Sequence, residues 1–307
     1  MTRAMAAWDR FWFAPQPSSS LALLRIAFGA LVLVWAASLA PDVGAFFTPS
    51  GIAAEADETR WGLLRLLPYA WAAWALLVAL MVAAIALFLG LYTRLAALAV
   101  LVGVLSFERR NPLVFNAGDG LIRIIAFYLA LAPAGASLSL DRLRRAHQPF
   151  WEFPARAPWA LRLMQIQLSV IYVSSVWEKL HGFTWRNGTA VAYALQLDDL
   201  QRFAMPAFAY TWAPAVALLT WGTLAAELSL GVLVWTRWRL PILAVGVAMH
   251  IGFAYALRIG FFSAAICVLY LAFLPPALAQ RFVLAVRAAA LTHQRKATQG
   301  WQACAHR

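Results

Sequence analysis

Charge is scarce in this sequence. Only 12% of its 307 residues are Asp, Glu, Lys or Arg and 63% are hydrophobic, whereas a soluble domain carries about 25% charged residues. So little polar surface cannot cover so much apolar material, which excludes an ordinary water-soluble fold. Cysteine is nearly missing: Cys267 lies in an apolar block and Cys304 in a basic tail. Two cysteines so placed make no metal signature, and a tail on the cytoplasmic side excludes a disulfide. Acidic residues number 13 against 25 basic ones, a formal charge of +12. No basic stripe with interleaved aromatics accompanies that excess, so nucleic acid is excluded as a partner. There is also no internal repeat.

What is present is a succession of apolar blocks. A helix crossing the hydrocarbon layer needs about 20 residues, and eight candidates are visible, at 21–40, 69–89, 94–107, 120–131, 161–177, 213–234, 240–257 and 260–273. Pro275 and Pro276 stop the last. The third reaches full length only with part of 91–94 included. The expected fold class is therefore all-α, a polytopic transmembrane helical bundle of about eight spans. Residues 1–276 form its membrane domain and 277–307 a basic cytoplasmic tail. The apolar, basic stretch 277–291 suits a helix lying along the membrane surface with its arginines toward anionic lipid. Disorder is expected from Thr292, and a short interfacial helix around 60–67. The first block is too long for a signal peptide and contains Arg25, so it is read as a retained span.

The connecting segments orient the bundle. Segment 41–68 holds Asp42, Glu55, Asp57 and Glu58 against Arg60 and Arg65. Segment 135–160 holds Arg142, Arg144, Arg145 and Arg156 against Asp141 and Glu152, the 236–239 turn holds Arg237 and Arg239, and the tail has no acid. Eight spans with both termini in the cytoplasm put the three basic segments inside and the acid-rich loop outside, as the positive-inside rule requires. A count of seven or nine breaks the alternation.

Charge inside hydrocarbon needs a partner or a task. Arg25 and Arg162 lie near span starts, where snorkelling is the plain reading. Glu227 lies about fifteen residues into its block, too deep for a short side chain to snorkel; it is either ion-paired with an arginine or part of a site. His250 is mid-block and is either bonded across helices or functional. Asp119 stands where a helix cap belongs, with Arg123 one turn on and on the same side as a possible clamp. Lys179, Ser175 and Tyr172 share a face if the helix continues to 179. On this topology Arg109, Asp119, Lys179 and Arg258 reach the outer side at one depth. A lysine at such a rim ordinarily anchors its helix; its polar company makes Lys179 the candidate functional residue.

Three stretches, RRNPLVFNAGDGLIRIIAFYLALAPAGASLSLDR (109–142), IYVSSVWEKLHGFTWRNGTAVAYAL (171–195) and HIGFAYALRIGFFSAAICVLYLAFLP (250–275), together with the first block, resemble the HTTM-domain family of bacterial membrane proteins. That family is related to the membrane part of vitamin K-dependent gamma-glutamyl carboxylase. Order and spacing over residues 20–276 make the resemblance, since each motif alone is loose. It implies a bacterial inner-membrane location and a base lysine, carried over to Lys179 before Leu180, acting on a reduced quinone of the vitamin K type. Tyr172 and Asp119 accompany Lys179 as catalytic candidates, and Arg109, Asn111, Arg123, Glu227, His250 and Arg258 are the candidates to surround the quinol. The family's glutamate-handling histidine has no counterpart among Asn116–Asp119, and no lumenal domain follows the membrane part, so glutamate carboxylation itself is not implied.

On its own terms a base for a phenolic hydroxyl must be a neutral amine, which desolvation favours. Three classes of function are compatible with these features. A membrane enzyme acting on a quinol-like, lipidic or peptide substrate needs a cavity bordered by Lys179, Arg109, Asp119, Glu227 and Arg258 and open to the lipid. A non-enzymatic accessory, export or immunity protein would instead show Lys179 paired with a carboxylate and no cavity reaching it. A small-molecule transporter needs broken spans or repeats around a mid-membrane site.

Overall fold

The computed structural model describes residues 2–52, 61–146 and 149–305. Ten longer helices make up most of it: α1 (Arg3–Phe13), α2 (Ser19–Leu39), α3 (Ala70–Leu89), α4 (Thr93–Arg110), α5 (Ala117–Leu131), α6 (Trp159–His181), α7 (Ala213–Val232), α8 (Arg239–Ala256), α9 (Phe262–Tyr270) and α10 (Pro276–Ala305). The all-α expectation needs one small correction. Gln16–Pro17 (β1) pairs antiparallel with Ala155–Arg156 (β2), tying the N-terminal segment to the 135–158 connection. Expected residues Glu55, Asp57, Glu58 and Arg60 lie outside the described residues. The short helix foreseen there is seen as Leu63–Leu66. Helix α10 is described as far as Ala305.

The described residues form a polytopic membrane-type bundle. Each of the eight expected blocks contains helix, but not eight self-sufficient spans. Four stretches are long and apolar enough to cross a membrane: Ser19–Phe47, Ala70–Leu89, Ala213–Trp235 and Arg239–Ala256. A fifth is possible if Phe262–Phe273 and Pro276–Thr292, which meet at a 109° bend, count as one broken span. The shortfall has a physical cause. Helix α5 has only 15 residues. Helix α4 carries Arg94, Glu108, Arg109 and Arg110, and Arg162, Gln165 and Gln167 dilute the apolar content of α6.

Packing runs α2 on α3, α3 on α4, α4 on α5, and separately α6 on α7 and α7 on α8; α9 joins the two groups by touching α2, α5, α6 and α8. Close backbone approach is built from glycine. A Cβ on Gly29 would stand 2.6 Å from the Phe88 nitrogen, and one on Gly118 only 2.4 Å from that of Phe262. The second contact fixes the start of α5 against the start of α9.

Two ends of the bundle are defined by their contacts. At one, Ser18 bonds Pro154, Arg162 bonds Phe11, and Trp235 lies on Phe11. At the other, Arg110 bonds Thr48, Asn111 bonds Phe46, and Arg258 N–H donates to Leu200 at 2.6 Å. Arg25 does not snorkel. It is fully buried and donates to the carbonyls of Ala134, Ser137 and Leu138 at 3.1, 3.3 and 2.5 Å. Arg162 is likewise held, by Phe11 and Gln165.

Candidate functional site

The continuous helix to His181 decides the geometry of the site. Because α6 does not break after Val176, Lys179 and Ser175 stand one turn apart on one face, and Lys179 Nζ donates to Ser175 Oγ at 3.0 Å. Ser175 in turn donates to Glu227 Oε2 at 3.2 Å, and Lys179 forms an ion pair with Glu227 Oε1. The partner of Glu227 is thus the lysine of α6 rather than an arginine. Exposure divides the pair unequally. The Glu227 side chain is 5% exposed and that of Lys179 22%, so the lysine side chain is partly accessible and the carboxylate is not. The ammonium also lies 5.0 Å from the centre of the Trp185 ring, within the range of a cation–π contact. Glu178, adjacent in sequence, is exposed and is not the counter-ion.

Below this pair the interior holds a chain of hydroxyls around one imidazole. Tyr172 bonds His250 Nε2 at 2.8 Å and also bonds Tyr270 Oη; His250 Nδ1 bonds Ser263 Oγ at 3.2 Å. All four are buried. Buried polar groups need partners, and here each supplies another's. The groups are close to the ion pair, since the charge of Glu227 acts on Tyr172 and Tyr270 and that of Lys179 acts on His250. Three helices, α6, α8 and α9, meet through these side chains. Gly246 admits them: a Cβ there would stand 2.5 Å from Tyr270 Oη.

A second polar group lies at the α4–α5 corner. Asp119 closes a capping box with Asn116, accepting from the Asn116 N–H at 2.6 Å, and its other oxygen accepts from Trp35 Nε1 at 2.6 Å. The cap role is therefore present, with a buried indole added. The Asp119–Arg123 clamp is not. Arg123 pairs with Glu108, because α4 delivers that carboxylate to the same corner. Asn111 is occupied by Phe46 and Leu113.

The structure thus brings together Lys179, Glu227, Tyr172 and His250 from the candidates. Asp119, Asn111 and Arg123 belong to the α4–α5 corner, and Arg109 and Arg258 are exposed at helix ends. No single set of contacts unites Lys179, Arg109, Asp119, Glu227 and Arg258. Tyr270 and Ser263 escaped the sequence reading. Only their polarity within the apolar run 261–274 could have signalled them. Among the described residues no group of His, Cys, Asp and Glu is arranged to hold a metal ion.

These features define a polytopic membrane helical bundle with a lysine–glutamate pair beside a hydrogen-bonded cluster of buried side chains. Residues 13–277 match the HTTM domain, and the chain belongs to that family, broadly related to the membrane domains of the carboxylases. No curated protein and no solved structure matches it.

Proposed function

We propose that this HTTM protein accepts a proton from an acidic hydroxyl on a lipid-soluble ring, a quinol-like substrate, with Lys179 as the base. The carrying observation is the unequal exposure of the Lys179–Glu227 pair: a partly accessible lysine side chain on a buried carboxylate. Lys179 is also one of only two lysines, among 25 basic residues, and an amine can be made neutral where a guanidinium cannot. As an ammonium it cannot act. Entry of an apolar ring strips hydration from the ammonium, whose proton leaves with the expelled water, and Glu227 stays a carboxylate to pair with the ammonium that re-forms when the amine accepts the substrate's proton. The amine then takes the hydroxyl proton at Nζ. Ser175 holds the amine throughout, and Tyr172, His250, Tyr270 and Ser263 keep the surrounding interior polar without adding charge. A reduced quinone fits this setting because the Trp185 ring beside Nζ offers an apolar face; such a group supplies reducing electrons when bound.

The same reading takes all eight blocks as crossings of a bacterial inner membrane, with α4, α5 and α6 shielded by their neighbours. Both termini are cytoplasmic and the Lys179 end faces outward, where lipidic or peptide substrates and membrane lipids would be the partners. Residues 1–276 form the membrane domain and 277–307 the tail. The remaining candidates, Asp119, Arg109, Asn111, Arg123 and Arg258, form the surrounding outer face.

The test is oxygen-dependent turnover of a reduced naphthoquinone by the full chain in proteoliposomes. A positioned base contributes about 10²–10⁴-fold, so Lys179→Ala lowers turnover by at least about a hundredfold, and Lys179→Arg does not restore it. A second reading rests on the same pair, as a lock between α6 and α7 in a non-catalytic accessory protein, the class for which a Lys179–carboxylate pair is the expected sign. Turnover that Lys179→Ala leaves unaltered ends the first reading; no turnover by the wild-type chain, with thermal stability lowered by Lys179→Ala, ends it too and selects the second.

A further inference from the structure

A cavity of about 350 Å³ opens at the end of the bundle opposite Lys179, lined by Gln16, Ser20, Arg162, Gln165, Arg239 and Pro276 among others. None of the lining residues is acidic, yet two are arginines, and they are close enough for the charge of Arg239 to act on Arg162. Like charges held together without a carboxylate repel, and an anion between them reverses the sign of that interaction.

The walls are fixed. Arg162 donates from Nε to Phe11 O at 3.1 Å and from Nη1 to Gln165 Oε1 at 2.9 Å, with its guanidinium 4.8 Å from the Phe11 ring centre; this leaves Nη2. The carbonyls at the end of the α9 segment are engaged from the other side, Ala272 by Gln165 and Leu274 by Ser20, each at 2.7 Å. Helices α6, α8 and α10 all begin beside the cavity, at Trp159, Arg239 and Pro276, so their positive ends reinforce the arginines. The depth is informative too. Just beyond the cavity the chain turns through 109° into α10, which exposes Phe282, Leu284 and Val286 along with Arg281 and Arg287. A helix of that composition lies at the level of the headgroups.

We propose that this cavity binds a phosphate-bearing anion, seated between Arg162 and Arg239, and that an acidic phospholipid headgroup supplies it. A guanidinium fork matches the oxygens of a phosphate, and the volume lies within the range of small-ligand sites, about 300–1,000 Å³. The proposal is independent of any role of Lys179.

The experiment is thermal unfolding of the full chain in a neutral detergent, titrated with short-chain phosphatidylglycerol, short-chain phosphatidylcholine or inorganic phosphate. Phosphatidylglycerol raises Tm saturably and phosphatidylcholine does not. Arg239→Gln weakens the apparent affinity about tenfold or more, the effect of losing a charged hydrogen-bond partner. Arg237→Gln, at an exposed arginine stacked on Trp238 outside the cavity, leaves it unaltered. Inorganic phosphate alone reproducing the shift, with the same sensitivity to Arg239→Gln, supports the anion site and assigns it to a soluble guest. No shift with either anion, or one that both variants retain equally, overturns the proposal. Should Arg239→Gln fail to fold, native mass spectrometry of the wild type decides: equal retention of the two lipids overturns it as well.

Discussion

Glu227 on α7 receives two donors from α6, Lys179 Nζ and Ser175 Oγ, and is almost without access to solvent. Removing the lysine strands a buried carboxylate, whereas removing both charges does not. Lys179→Met is therefore expected to cost about 2–4 kcal/mol, less than a fully dry pair because the amine keeps some water. The double variant Lys179→Met with Glu227→Leu recovers most of that loss. Thermal unfolding of the four proteins in detergent completes the cycle. Additive losses would show that the two side chains do not interact.

Tyr172 is the hub of the buried hydroxyl chain, bonded to both His250 and Tyr270. Tyr172→Phe leaves both partners short of a bond in a dry interior, at about 1–3 kcal/mol. Tyr255→Phe, on the exposed side of α8, stays within about 0.5 kcal/mol of the wild type. Denaturation midpoints of the two variants compared directly check this. Equal midpoints would mean that water enters the cluster and replaces the lost hydroxyl.

The helical positions and the polar residues inside them could be read from the sequence, because apolar blocks and misplaced charges are properties of composition along the chain. Which charge meets which could not. Glu227 pairs with Lys179 and not with an arginine, and Arg123 with Glu108 and not with Asp119, because those choices depend on how helices rotate and how far α4 reaches before it ends. Tyr270 and Ser263 show the same limit: a hydroxyl on an apolar helix acquires meaning only when α9 is seated against α6 and α8. The number of free-standing spans was overcounted for a related reason. Sequence blocks such as 161–177 look like spans by position, while Arg162, Gln165 and Gln167 are sheltered by neighbours rather than suited to lipid.

Arg25 contributes a third test. Its guanidinium satisfies three carbonyls of the 134–138 turn, and Gly90, at φ +69°, makes room for it: a Cβ there would stand 2.5 Å from Arg25 Nη1 and 2.4 Å from Ser139 Cβ. Gly90→Ala must therefore both strain its own backbone and displace the arginine. Each of Arg25→Ala and Gly90→Ala is expected to lower stability by about 3 kcal/mol or more. Because both break one arrangement, the double variant loses clearly less than the sum. Strict additivity in unfolding measurements would separate the glycine from the arginine and defeat the explanation.

The orientation of the whole bundle is open to a direct measurement. The segment after α6 is tied to the first half of α7 by Val191 N–H on Thr220 Oγ1 at 3.2 Å, and to the end of α8 by Arg202 N–H on Ala256 O at 2.9 Å, so Asn187 belongs to the Lys179 end. Arg237 and Arg144 belong to the other end: Arg237 follows Trp235, which packs on Phe11, and Arg144 bonds Tyr92 Oη at 2.8 Å. Arginine-rich connections stay inside. With Cys267 and Cys304 replaced by alanine, a cysteine at Asn187 should react with a membrane-impermeant maleimide in intact cells, and cysteines at Arg144 or Arg237 only after permeabilisation. All three positions are exposed, so a difference in labelling reports the side of the membrane and not burial. Equal reactivity of Asn187 and Arg144 in intact cells would place both ends on one side, which no bundle with these contacts permits. The reversed pattern would turn the lysine site toward the cytoplasm and move its substrate to the inner leaflet.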